Sequence, residues 1–133
     1  MGIMLKEIIK QDLLLKQIIN RGNFTFKQLD YLLIQRSGNA EEKIFDKMLR
    51  ANKESLSKSS FVITRDRGKK NLKRALYSLI IAKYLGLLSS DCFMSLEKTV
   101  AILDNAKEKK LNDDQSLQIV FALEDLIKHI LLI

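Results

Sequence analysis

Few residues in this 133-residue chain carry chemistry of their own. Cys92 and His129 are its single cysteine and its single histidine. A thiolate activated by an imidazole would be a nucleophile, and Cys92 stands beside an expected helix start, where a thiol pKa falls. Nothing in their spacing brings the two together. Cys92 is therefore read as a semi-buried structural cysteine and His129 as a residue on the edge of the last helix. One cysteine excludes an internal disulfide, and one Cys with one His falls short of an ordinary zinc ligand set. The carboxylate pairs Glu41-Glu42 and Asp113-Asp114 fall at expected helix starts, where negative charge complements the helix macrodipole. That accounts for them without acid–base chemistry. The chain also lacks a phosphate-binding glycine loop, a metal-binding triad and a nucleophile motif. It is read as not an enzyme, and neither cofactor nor metal is expected.

The chemistry that remains is electrostatic. Residues 57–88 hold Lys58, Arg65, Arg67, Lys69, Lys70, Lys73, Arg74 and Lys83 against Asp66 alone. This quarter of the chain carries a net +7, equal to the excess of the whole protein. A solvated surface usually interleaves both signs, as residues 41–54 do here, whereas a cluster of one sign makes a field that draws polyanions. Aromatic residues do not interleave with these cations, so duplex binding is favoured over a single-strand stacking platform, and double-stranded RNA stays open.

The elements that must position these cations are helical. The chain has no proline and five glycines, and 47% of its residues are hydrophobic, enough for a real core. The longest apolar run, residues 75–88, is too short to span a membrane and contains Lys83, and the first residues lack a signal-peptide pattern. The sequence is thus read as cytoplasmic, with no membrane partner.

Apolar residues at three- and four-residue steps predict an amphipathic helix over residues 4–20, ended by Gly22. Thr25 with Gln28 forms a capping box, and Phe24 with Leu29 a hydrophobic staple, for a second helix stopped by Ser37-Gly38. Asn39 with Glu42 starts a third, expected to run to about Lys53. Gly68 suggests a kink or helix end, with Asp66 capping the helix beyond it. The apolar run after Arg74 then predicts a long central helix buried on several faces. Beyond Gly86, Ser89-Ser90-Asp91 caps a helix carrying Phe93, Leu96, Val100 and Leu103, and an Asn112/Gln115 capping box opens another carrying Val120, Leu123, Ile127 and Ile130. Tyr77 and Tyr84 share one helical face, as core or interface residues do.

Between the third helix and the basic run, Ala51 is a small residue followed by Leu56-Ser57-Lys58-Ser59-Ser60-Phe61: an apolar residue, a turn, an N-cap and a large core residue. Residues 47–67 resemble the helix-turn-helix of many DNA-binding proteins, with Ser55 where that pattern usually has Gly and Thr64 where it prefers an aliphatic. The resemblance implies that Ala51 lets two helices cross closely and that Phe61 holds the recognition helix against the first. Val62 and Ile63 favour strand, so residues 61–64 are open to being either helix or the strand of a minimal winged variant.

The sequence thus implies an all-α protein: a helix-turn-helix domain over residues 1–88 with a long central helix, and a C-terminal helical pair over 89–133 that makes a homodimer. The homodimer is preferred because the apolar stripes end on Leu131-Leu132-Ile133. The expected function is duplex DNA binding in transcription regulation. Arg65, Arg67, Lys69, Lys70, Lys73 and Arg74 are assigned to phosphates, and Ser57, Lys58, Ser59, Val62 and Asp66 to the groove. The rival reading is a helical adaptor or assembly subunit whose basic face meets an acidic protein, without nucleic acid.

Overall fold

The computed structural model describes residues 12–37 and 57–133. In them lie five helices: α1 (Leu13–Arg21), α2 (Phe26–Ser37), α3 (Lys58–Tyr84), α4 (Cys92–Lys107) and α5 (Asp113–Ile130). The described residues contain no strand beyond an isolated antiparallel bridge between Leu88 and Leu131. The chain divides into two compact units, Met1–Ala75 and Leu76–Ile133. The third helix predicted from Asn39 and Glu42, with Ala51 and Ser55, lies outside the described residues, as do Glu41-Glu42.

In the first unit, Asp12 takes φ −133° and ψ 86°, and its carboxylate accepts the Leu15 amide at 2.9 Å. A helix therefore begins at Leu13 and does not run unbroken through Asp12, which corrects the single helix predicted over residues 4–20. Gly22 ends α1, its amide donating to the Ile19 carbonyl. The capping box of α2 forms as predicted: the Gln28 amide donates to Thr25 Oγ1 at 3.1 Å and the Thr25 amide to Gln28 Oε1 at 3.2 Å. On α2, Asp30, Tyr31 and Ile34 are buried.

Ser57 caps α3, its hydroxyl oxygen accepting the Ser60 amide at 3.1 Å. The helix then passes through residues 61–64 and through Gly68 without interruption. There is thus no wing strand at Val62-Ile63, no helix end at Gly68, and no cap at Asp66, which sits in mid-helix. Burial decides the first of these, left open between helix and strand. Each β-branched residue disfavours helix by roughly half a kcal/mol, whereas burying one large apolar side chain stabilises by about 1.5–3 kcal/mol, and Phe61 is fully buried.

Packing accounts for the second. The Phe61 ring lies 4.9 Å from that of Tyr31, tilted by 32°. A Cβ on Gly68 would come within 2.9 Å of Leu32 Cδ1 and 3.2 Å of Gln28 Cβ, so the missing side chain is what lets α2 approach α3. Nearby, Arg65 Nη1 donates to Gln35 Oε1 at 3.2 Å and Asn71 Nδ2 to the Asn23 carbonyl at 2.6 Å. As α3 advances from 65 through 68 to 71, its partners retreat from 35 through 28–32 to 23, so the two helices run antiparallel.

In the second unit, Leu88, Cys92 and Ile130 form a buried cluster, with Leu79, Ala82, Leu96 and Leu126 packed around it. Helix α3 ends in a Schellman motif: Gly86 takes φ 75°, the Leu87 amide donates to the Ala82 carbonyl and the Gly86 amide to the Lys83 carbonyl. Lys83 Nζ donates to the Ser89 carbonyl at 2.9 Å. The Ser89 amide donates to the Ile130 carbonyl and the Leu132 amide to the Leu87 carbonyl, fastening the segment after α5 to the segment after α3. The Ser89 hydroxyl donates to Asp91 at the start of α4 and holds that carboxyl below its usual range, as does the charge of His129. The stabilisation from this lowered pKa is present above the ordinary carboxylate range and is lost as pH falls through the folded value. Asn112 and Gln115 form the predicted capping box of α5, at 2.8 and 3.0 Å.

The predicted burial of the run after Arg74 on several faces is not observed. Leu79 and Ala82 turn to the core, while Leu76, Tyr77, Ile80, Ile81 and Tyr84 are exposed. The stripes of α4 and α5 divide similarly: Val120 and Ile130 are buried, but Phe93, Val100 and Ile127 are about half exposed.

The approach at Gly68 sets a stability test by thermal unfolding. Gly68→Leu should destabilise by about 1–3 kcal/mol or more through overpacking against Leu32. Gly68→Ala should come out near neutral, because about 1 kcal/mol of helix propensity offsets the tighter contact. A leucine variant as stable as the original chain would refute close packing there.

Candidate nucleic-acid interface

Burying one side of α3 decides where its cations point. At 100° per residue, Phe61 and Gly68, with half-buried Thr64 and Asn71, occupy one side of the helix between residues 58 and 74. Lys58, Arg67, Lys69, Lys70, Lys73 and Arg74 fan across the opposite half, and all six are exposed. Seven residues of rise put Arg67, Lys69, Lys70, Lys73 and Arg74 within about 10 Å along the axis. B-form DNA carries one phosphate per ~1.7 Å of its axis, about six over the same length. The linear charge densities match.

Arg65 departs from the rest of the assigned phosphate contacts. Its side chain is 13% exposed, and its Nε and Nη2 donate to Asp66 Oδ1 at 3.1 and 2.9 Å while Nη1 reaches Gln35 on α2. The pair neutralises itself. Asp66 points into the middle of the basic half, and the adjacent guanidinium compensates the one negative charge there. Arg65 thus belongs to the frame of the surface more than to its contact layer.

At the start of α3, Lys58 and Ser59 are exposed, and Val62 is half-buried, turned about 100° from Phe61 and so between Lys69 and Lys73 around the helix. The Ser57 oxygen is engaged in capping. Three further residues position the surface, and the sequence marks only one of them. Gln35 orients Arg65, Asn71 ties α3 to the turn before α2, and Gly68 permits the close approach. The first two act across more than twenty residues of sequence. Gly68 is visible as an anomaly, though its spacing does not distinguish a break from a tight crossing.

The other candidate groups separate. Cys92 is a free thiol buried in the second unit's core, more deeply than expected, and His129 is exposed on the last turn of α5. Asp113 and Asp114 lie in the first turn of α5, and Lys128 and His129 in its last, in the sense the macrodipole favours. Among the described residues no group of three or more His, Cys, Asp and Glu is placed to hold a metal ion, and no helix is long and apolar enough to cross a membrane.

Compensation of Asp66 by Arg65 leads to a measurable effect of charge. Asp66→Asn removes the one acid from the exposed half of α3, so this variant should elute from a heparin column at higher salt than the original protein. Equal or earlier elution would mean that Asp66 does not share the surface of the cations.

Compared with known proteins, the chain matches no protein family, no curated sequence and no solved structure.

Proposed function

We propose that this protein binds duplex DNA through the solvent half of α3 and acts as a homodimeric transcriptional regulator. The observation that carries the reading is the segregation along 58–74: six exposed cations cover one half of a helix whose other half is packed against α2. A rigid helix of this kind fits the ~12 Å major groove of B-form DNA. The deep, narrow major groove of double-stranded RNA would not admit it, so DNA is the favoured duplex. In this reading Arg67, Lys69, Lys70, Lys73 and Arg74 meet phosphates. Lys58 and Ser59, at the helix start, face base edges, with Val62 beside them, and Arg65 and Ser57 hold the surface in shape. Bidentate base readers are few, so affinity would exceed specificity.

The test is a fluorescence-anisotropy titration with generic duplex DNA across salt concentrations. Four to six phosphate contacts per chain predict a logarithmic slope of about −4 to −5, from roughly −0.9 per contact. Changing Lys69, Lys70 and Lys73 together to Gln should make the slope shallower by about three units per chain, with little change in sequence preference. Changing Lys58 or Ser59 should do the opposite, altering preference more than slope. A protein that binds no duplex at about 50 mM salt would overturn the reading and leave the adaptor with an acidic partner as the better account.

A further inference from the structure

The second unit leaves one face of α3 uncovered. Leu79 and Ala82 turn to the Leu88–Cys92–Ile130 cluster, while Leu76, Tyr77, Ile80, Ile81 and Tyr84 stand out from it, Tyr84 at 88% exposure. At 100° per residue these five occupy a stripe about 140° wide, wholly apolar or aromatic. Its centre, Tyr77, Ile80 and Tyr84, steps by three and then four, which is the spacing of a seam that takes knobs from a facing helix. The five side chains and the adjoining Leu85 expose on the order of 600 Å². That is the upper limit of what a monomer usually leaves in water. It is also most of the roughly 800 Å² that each partner gives to a standard interface.

We propose that a second copy of this chain covers this stripe, helix against helix along Tyr77, Ile80 and Tyr84. The inference rests on the homodimer of the proposed function and names its surface: the end of α3, in place of the stripes on α4 and α5. The face is self-complementary in the way a two-fold contact requires, since the partner must offer an apolar helix stripe of the same spacing and the chain itself carries one. A lipid surface fits less well. A helix lying in a bilayer interface flanks its apolar stripe with cations, but Lys83, the one charged residue in 76–85, is half-buried with its amine bonded to the Ser89 carbonyl.

Sedimentation velocity of the full chain at tens of micromolar, without DNA, tests this. The original protein should sediment at twice its 15.3 kDa mass. Ile80→Glu with Tyr84→Glu, at positions the fold leaves in water, should sediment as a monomer with unchanged helical circular dichroism. Phe121→Ser, at a comparably exposed aromatic on α5, should remain a dimer. The melting temperature should rise with concentration for the original chain and stay constant for the double variant. A monomeric original protein, a dimer that survives the double substitution, or a dimer equally lost in Phe121→Ser would overturn the assignment. Because DNA is absent, these outcomes stand apart from those of the binding titration.

Discussion

The approach of α2 to α3 at Gly68 governs what the first unit can present. With a hydrogen in place of a side chain, α3 lies close enough to Leu32 and Gln28 for Phe61 to reach Tyr31, and for Arg65 and Asn71 to bond to Gln35 and Asn23. These contacts fix the rotation of α3 about its own axis. Rotation is the quantity that matters for the charge, because basic residues recur through 58–74 and the helix could otherwise turn any part of that run inward. One packed side leaves the other half of the cylinder to six cations. It also draws Arg65 out of the exposed set and sets it against Asp66, so the one acid in the run does not divide the positive surface.

A second constraint acts on the latter half of the same helix. There the residues change from basic to apolar while the fold buries a single side, so the stripe through Tyr77, Ile80 and Tyr84 remains in water. The second unit is closed by backbone hydrogen bonds from Ser89 and Leu132 and by the left-handed turn at Gly86. These need none of the outward aliphatic and aromatic side chains of α3. In the proposed reading, the basic segment of this single helix meets an anion and the apolar segment that follows it meets another helix.

Local signals are the legible part of this sequence. The Thr25/Gln28 and Asn112/Gln115 capping boxes and the stop at Gly22 all lie within four residues of the groups they satisfy, and the structure has each of them. The failures share a cause. Gly68 reads as a break, and Val62-Ile63 as helix or strand alike, when helix propensity is weighed without the tertiary contacts with Leu32 and Tyr31 that decide it. Asp12 reads as an interruption within a stripe, although an aspartate three residues before an available amide is also a cap. The run 75–88 reads as buried because apolar composition shows which residues prefer to leave water, and not which element covers them. The cations of the candidate interface are legible as a cluster. Their common direction, and the separate fate of Arg65, depend on α2.

The central claim is that duplex DNA lies against the exposed half of α3. Lysine acetylation read by mass spectrometry, with and without a generic duplex at low salt, addresses it residue by residue. Lys69, Lys70 and Lys73 should be protected by the duplex, with weaker protection at Lys58, while Lys107, Lys109 and Lys110, which are also exposed, should react at unchanged rates. Protection spread evenly over all exposed lysines, or concentrated at 107–110, would contradict the account.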